Sequence, residues 1–90
     1  MNPPETEIVF RSKIRVTLRP SILDPQGKAV SHAIQALGIT AVRDVRMGKF
    51  VELTVEGSTR EEARAATEEV CRRLLANPVM EDYAYELEEM

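Results

Sequence analysis

The segment from residue 42 to residue 56 constrains the fold more than any other part of this chain. An apolar alternation keeps the same phase on both sides of Gly48, at Val45, Met47, Val51, Leu53 and Val55. Such an alternation is typical of a strand with one buried face. Two arrangements keep these residues on one face: a hairpin with a three-residue turn beginning at Gly48, or one long strand that bends at the glycine.

The two arrangements differ in the length that they require. Fifteen residues of strand extend about 50 Å at roughly 3.3 Å per residue. A compact domain of 90 residues has a radius of gyration of about 12 Å and a diameter of about 30 Å. One continuous strand would therefore project beyond its own domain and need another chain to cover it. The long strand, which we favour, predicts a dimer with a sheet that extends across both copies.

The remaining patterns predict four further elements: a strand from about Phe10 to Leu18, a helix from about Pro25 to Leu37, a helix from about Arg60 to Leu75 and a strand from about Glu81 to Leu87. Asp24 is a suitable N-cap for the first helix, and Pro25 suits its first turn because no amide hydrogen is needed there. We therefore expect structural roles for both residues.

This order of elements predicts a two-layer α+β domain, in which two helices cover one face of an antiparallel sheet, related to the ferredoxin-like folds. We expect residues 13–90 to form this single domain. Residues 1–12 are expected to be an N-terminal extension, of which residues 1–7 form a loose tail.

The composition argues against several classes of function. The net charge is −3 at pH 7, whereas nucleic-acid-binding domains are basic, so we expect no nucleic-acid partner. No apolar run is long enough to span a membrane, and the polar N-terminus does not resemble a secretory signal. Together with a single cysteine, these features favour a cytoplasmic protein.

Residue types that commonly carry chemistry are scarce. We expect His32, the single histidine, to face solvent, and the lone Cys71 to pack on the flank of the second helix. One histidine and one cysteine do not make a zinc site. Adjacent glutamates such as Glu68 and Glu69 are typical of solvated helix faces. We therefore expect no catalytic, cofactor-binding or metal-binding residue in this chain.

Three segments together are distinctive: residues 21–27 (SILDPQG), 42–53 (VRDVRMGKFVEL) and 71–83 (CRRLLANPVMEDY). They resemble segments of the PurS family, the small subunit of phosphoribosylformylglycinamidine (FGAM) synthase, in the family's order and spacing. The likeness runs from about Lys13 to Glu88. Residues 1–12 make a longer N-terminus than the family usually has.

The resemblance implies a non-catalytic assembly subunit of a three-chain enzyme in purine biosynthesis. In this family a glutaminase subunit releases ammonia from glutamine. A large synthetase subunit binds ATP and Mg²⁺ and uses the ammonia to convert formylglycinamide ribonucleotide (FGAR) into FGAM. The small chain is expected to form a homodimer or tetramer, to bridge the other two subunits and to support ammonia transfer. The alternative is a dimeric small-molecule regulatory domain of ferredoxin-like topology.

Charge suggests where partners bind. Residues 1–50 carry a net charge of +4 and residues 51–90 a net charge of −7, which favours ordered assembly or reflects only unrelated solvated faces. We expect Gly48 to have a structural role as the residue at which the strand bends. Around it lies a basic cluster of three residues, Arg43, Arg46 and Lys49. We predict that these three cations dock against an acidic surface on a partner or on a second copy.

Overall fold

The structure, a computed structural model, describes residues 8–90, and the loose tail predicted for residues 1–7 lies outside them. In chain order it contains β1 (Ile8–Leu18), α1 (Pro25–Ala36), β2 (Gly48–Gly57), α2 (Arg60–Val70), a π-helical turn (Cys71–Leu75) and β3 (Glu81–Glu89). None of the helices between residues 8 and 90 has the length and apolar character that crossing a membrane requires.

The three strands form one antiparallel sheet in the order β2-β1-β3. Ile14 of the central strand lies between Val51 of β2 and Tyr85 of β3. The predicted α+β class, with an antiparallel sheet and two helices, is confirmed. Since β1 begins at Ile8, residues 8–12 of the predicted extension form part of the central strand.

The alternation in β1 divides the sheet into an inner face and an outer face. Phe10, Ile14 and Val16 point inward and are at most 1% exposed. The alternate residues point outward, where Lys13 lies 2.8 Å from Glu88 and Arg15 lies 3.5 Å from Glu86. The inner face is therefore apolar, and the outer face carries ion pairs across the strands.

The inner face is covered by α2 and the π-helical turn. Thr59 caps α2 by accepting a hydrogen bond from the Glu62 amide at 3.2 Å, and the Glu62 carboxylate accepts one from the Ser58 amide at 2.8 Å. This arrangement is a variant of the capping box, in which the Glu62 side chain bonds the amide that precedes the N-cap residue. The predicted helix ends as expected at Leu75, but its last turn, Cys71–Leu75, is π-helical.

The first helix belongs to a projecting arm, which we define as residues 25–47. Twelve residues of α1 measure about 18 Å at 1.5 Å per residue. The chain has a radius of gyration of 17.8 Å and a longest dimension of 56 Å, where a compact chain of this length has a radius of about 12 Å. Within one chain, α2 packs against β1 and β2, whereas α1 makes almost no contact with the sheet. The predicted cover of one sheet face by both helices is therefore seen only for α2.

The hairpin alternative for residues 42–56 is wrong. β2 pairs with β1 from Gly48 opposite Thr17 to Gly57 opposite Ile8, and residues 42–47 belong to no strand of the described chain. β1 ends at Leu18, so residues before Gly48 have no strand of their own chain beside them. The favoured single strand over residues 42–56 is not observed in one chain either, because β2 begins only at Gly48. Its continuation beside a second copy stays a prediction.

Candidate partner-docking surfaces

The carboxylate of Asp24 joins the beginning of α1 to the segment that leads into β2. It accepts hydrogen bonds from the amide of Met47 at 2.7 Å and from the amide of Gly27 at 2.9 Å. These two bonds, aided by the charge of nearby Arg46, hold the pKa of Asp24 below its ordinary value. An ionised Asp24 therefore fixes the base of the arm.

Two glycines near the base of the arm allow backbone segments to approach each other closely. A β-carbon on Gly27 would lie 2.5 Å from the carbonyl oxygen of Val45, and one on Gly48 would lie 2.6 Å from that of Val16. Both contacts are with backbone, which cannot swing away as a flexible side chain can. Gly48 is thus required for close approach to β1, and its φ is not in the left-handed region.

The three cations of the basic cluster have different surroundings. Arg46 donates to the carbonyl oxygens of Arg19 and Ile22, each at 3.0 Å. Lys49 donates to the carbonyl oxygen of Leu75 at 3.3 Å and lies 3.8 Å from a carboxylate oxygen of Glu81. Arg43 is exposed and has no hydrogen bond or ion pair within residues 8–90. Arg46 and Lys49 therefore support their own chain, and their predicted docking role stays a prediction.

The arm exposes apolar side chains that one chain does not cover. Leu37 is 76% exposed, Ile39 46% and Val42 37%. These residues lie at the far end of α1 and in the segment that returns towards β2. Exposed apolar side chains that lie close together in sequence are candidates for a protein–protein contact.

A second surface lies between α2 and β3, in an open groove of about 690 Å³, which we call the β3 groove. Glu68 accepts hydrogen bonds from the hydroxyls of Tyr83 at 2.6 Å and Tyr85 at 2.9 Å. The bond from Tyr83, and then that from Tyr85, lowers the pKa of Glu68. The pKa of Tyr83 is raised mainly by its bond to Glu68, and that of Tyr85 mainly by burial. Arg60 and Arg64 line the same groove.

Sequence reasoning missed the β3 groove. The prediction of a solvated face holds for Glu69, which forms an ion pair with Arg73 at 2.8 Å, but it is wrong for Glu68, which two tyrosines bind. One feature of the sequence could have indicated the groove. Residues 60, 64 and 68 are spaced four apart, which places three charged side chains on one face of a helix.

The remaining reactive residue types do not form a catalytic constellation in the described part of the chain. Cys71 is fully buried, and burial raises the pKa of its thiol. His32 is exposed on α1. Among residues 8–90, no group of three or more His, Cys, Asp or Glu residues is placed to hold a metal ion.

Comparison with known proteins gives a single result. Residues 11–89 match the family model PurS, described as phosphoribosylformylglycinamidine (FGAM) synthase. The chain belongs to the PurS family. It is 48% identical over 82 residues to the FGAM synthase subunit PurS of Bacillus subtilis, a match that covers 91% of this chain and 96% of that protein. It is 43% identical over 84 residues to the PurS subunit of a Synechocystis species, covering 93% and 84% of the two chains.

Solved PurS structures share the fold. A crystal structure of PurS from B. subtilis superposes with a TM-score of 0.80 and 46% identity, covering 89% of this chain and 99% of that one. The PurS chain in the PurLQS structure from Thermotoga maritima superposes with a TM-score of 0.79 and 32% identity, covering 91% and 98%. The family therefore includes a chain that has been seen within a complex.

Proposed function

We propose that this PurS-family chain is the non-catalytic small subunit of FGAM synthase, the ligase that converts FGAR into FGAM with glutamine and ATP. The observation that carries the proposal is the family match, which extends over residues 11–89. The surroundings of Cys71 and His32 agree with a role in assembly. On this proposal, ATP and Mg²⁺ bind to the large synthetase subunit and not to this chain.

The subunit is proposed to bridge the glutaminase and synthetase subunits and so to support ammonia transfer. Ammonia that escapes into water at neutral pH becomes mostly protonated and loses its nucleophilicity. A complex that excludes water between its two active sites keeps the reagent reactive. Assembly alone can therefore raise the glutamine-dependent rate without a catalytic group from this chain.

A homodimer is part of the proposal. The exposed apolar residues of the arm and the lack of a strand partner for residues 42–47 support it. Leu37→Asp, at a position that is 76% exposed in one chain, is expected to lower the mass measured by analytical ultracentrifugation to that of one chain. Leu74→Asp, at a 79% exposed position outside the arm, is the matched control. A dimer that survives Leu37→Asp unchanged would contradict this use of the arm.

The docking role of the basic cluster is best tested at Arg43, because substitutions at Arg46 and Lys49 also remove bonds within their own chain. Arg43→Glu is expected to weaken co-purification with the larger subunits. Lys28→Glu, at another exposed cation of the arm, controls for the change in net charge. Equal recovery of both variants would contradict a specific role for Arg43.

Reconstitution tests the function directly. The glutaminase and synthetase subunits from the same source are mixed with ATP, Mg²⁺ and FGAR, with or without this chain, and with glutamine or ammonium chloride as nitrogen donor. We expect the chain to raise the glutamine-dependent rate while hardly changing the ammonia-dependent rate. If it changes neither, the proposal fails, and thermal-shift titration with purines, nucleotides and amino acids then tests the regulatory alternative.

A further inference from the structure

The outer edge of β3 has backbone groups that point away from the sheet. The amide of Arg19 donates to the carbonyl oxygen of Met80 at 2.8 Å, and that of Met90 to the carbonyl oxygen of Val9 at 2.9 Å. With the register of the two strands, these bonds assign the even-numbered residues of β3 to hydrogen bonding with β1. Tyr83, Tyr85, Leu87 and Glu89 therefore direct their amide and carbonyl groups to the free edge.

One contact within the chain agrees with this assignment. The guanidinium of Arg60 donates to the carbonyl oxygen of Leu87 at 2.7 Å, which requires that carbonyl to face outward. Arg60 thus reaches from α2 to the edge of the sheet. It binds a backbone group that would otherwise be available to a neighbouring strand.

The two sides of this edge carry different charged groups. On the inner side, Arg60 and Arg64 line the β3 groove together with Glu68, which the two tyrosines bind. The guanidinium of Arg64 has no hydrogen bond or ion pair within residues 8–90. On the outer side, Glu86 and Glu88 pair with Arg15 and Lys13, but their side chains remain 69% and 52% exposed. A strand lying beside β3 would meet the free guanidinium of Arg64 on one face and these half-exposed carboxylates on the other.

We propose that the free edge of β3 accepts an extended strand from a different protein chain, with acidic side chains facing Arg64 and basic side chains facing Glu86 and Glu88. Side chains of a strand alternate between its faces, so this segment alternates acidic and basic residues. Backbone hydrogen bonds to Tyr83, to Tyr85 and to the amide of Leu87 supply the attachment, since the Leu87 carbonyl already accepts from Arg60, and the charges select the partner. The proposed function enters only in placing this segment on a larger subunit of the synthase.

A second copy of β3 is a poor occupant of the same edge. A two-fold antiparallel pairing centred on Tyr85 would set Glu88 opposite Asp82, and one centred on Leu87 would set Glu86 opposite Glu88. Like charges in directly opposed positions destabilise a strand pair. These two registers of self-pairing are therefore disfavoured, as edge-to-edge pairing of natural sheets commonly is, whereas an alternating strand would bring unlike charges together.

Binding of two synthetic peptides to the complete chain tests the proposed charge pattern of the partner strand. One peptide has the central sequence Lys-Glu-Lys-Glu between Thr-Val flanks, and its control has Lys-Lys-Glu-Glu between the same flanks. Only the first places all acidic residues on one face. We expect it to bind about tenfold more tightly and to slow amide exchange, measured by NMR, at Tyr83, Tyr85 and Leu87 but not at Ala84. Equal affinity for both peptides, or slowed exchange elsewhere only, would overturn the proposal.

Charge reversal tests the residue that we assign to the inner face. Arg64→Glu is expected to remove the preference for the alternating peptide. Arg73→Glu is the control, because Arg73 pairs with Glu69 and does not line the β3 groove. A preference that survives Arg64→Glu, or that is lost equally in both variants, would count against an assigned role for Arg64.

Amide exchange in the assembled synthase separates this proposal from the proposed function. We expect protection at Tyr83, Tyr85 and Leu87 only when the larger subunits are present. If they bind and these amides still exchange freely, the strand proposal fails and the assembly role stands. If they do not bind, the assembly role fails while the peptide result stands by itself. Protection in the isolated chain would identify a second copy as the occupant and overturn the proposal.

Discussion

A buried pair of hydroxyl groups joins the central strand to α2. The side-chain oxygens of Ser12 and Thr67 lie 2.6 Å apart, and both residues are fully buried. The Thr67 hydroxyl donates its one proton to the carbonyl oxygen of Ala63 at 2.9 Å. The Ser12 hydroxyl must therefore be the donor of the shared bond, which makes the two single substitutions unequal.

Thr67→Val keeps the shape of the side chain but leaves the Ser12 hydroxyl buried without an acceptor. We expect it to lower the free energy of unfolding by about 1–3 kcal/mol, the usual cost of an unsatisfied buried polar group. Ser12→Ala leaves Thr67 bonded to Ala63 and is expected to cost about 0.5–1.5 kcal/mol. The double variant removes both partners together, so its stability should exceed that of Thr67→Val alone.

Urea unfolding followed by circular dichroism measures this cycle. The chain concentration must be the same for all four proteins, because the stability of an assembling chain depends on concentration. A loss of 2 kcal/mol corresponds to a decrease in Tm of about 8–16 °C for a domain of this size. If the double variant loses the sum of the two single losses, the hydroxyls act independently and the coupling is refuted. If Ser12→Ala costs more than Thr67→Val, the donor assignment is refuted.

Three further predictions concern single positions. Gly48→Ala should destabilise the chain by about 1–3 kcal/mol in urea unfolding, since its β-carbon would lie 2.6 Å from the Val16 carbonyl oxygen; an unchanged midpoint would contradict the close approach. The Tm advantage of the wild type over a Tyr83→Phe/Tyr85→Phe variant should be constant between about pH 5 and 10. It should shrink in acid, as pH falls from about 4.5 through the lowered pKa of Glu68, and in alkali, as pH rises from about 10 through the raised pKa values of the tyrosines; a pH-independent difference would contradict it. Cys71→Ala should support reconstituted activity fully, and the native thiol should react with a disulfide reagent only as the chain unfolds, because it is fully buried; rapid labelling of the folded chain would contradict this.

The elements with a clear local pattern were predictable from sequence. β1 shows its alternation because Phe10, Ile14 and Val16 are buried within the same chain, and α1 starts where Asp24 provides a cap. The hairpin alternative failed at residues 42–47 because the alternation shows only which side chains lie on one apolar face. It does not show which strand pairs with the segment, and in the structure β2 pairs with β1.

The β3 groove was unpredictable for a different reason. Glu68 and Glu69 are adjacent and identical in sequence, but they point in directions about 100° apart on a helix, at 3.6 residues per turn. That rotation directs Glu68 towards Tyr83 and leaves Glu69 beside Arg73. Identifying the difference requires knowing that β3 lies beside α2, which follows from the strand order and not from any local motif. The π-helical turn after Val70 likewise has no signal that we recognise in the sequence.

The charge split between the two halves of the chain also changes meaning once the sheet is known. Arg11, Lys13 and Arg15 of the basic half lie on the central strand, and carboxylates of the acidic half lie 2.8 to 3.9 Å from them on both flanking strands. Several charges of the two halves therefore pair with each other within the chain. Such exposed ion pairs add little stability. Two candidate surfaces for the proposed assembly, the apolar end of the arm and the β3 groove, differ in chemistry. An apolar arm suits the proposed contact with a second copy of the same chain, while a charged edge suits the proposed contact with a different subunit.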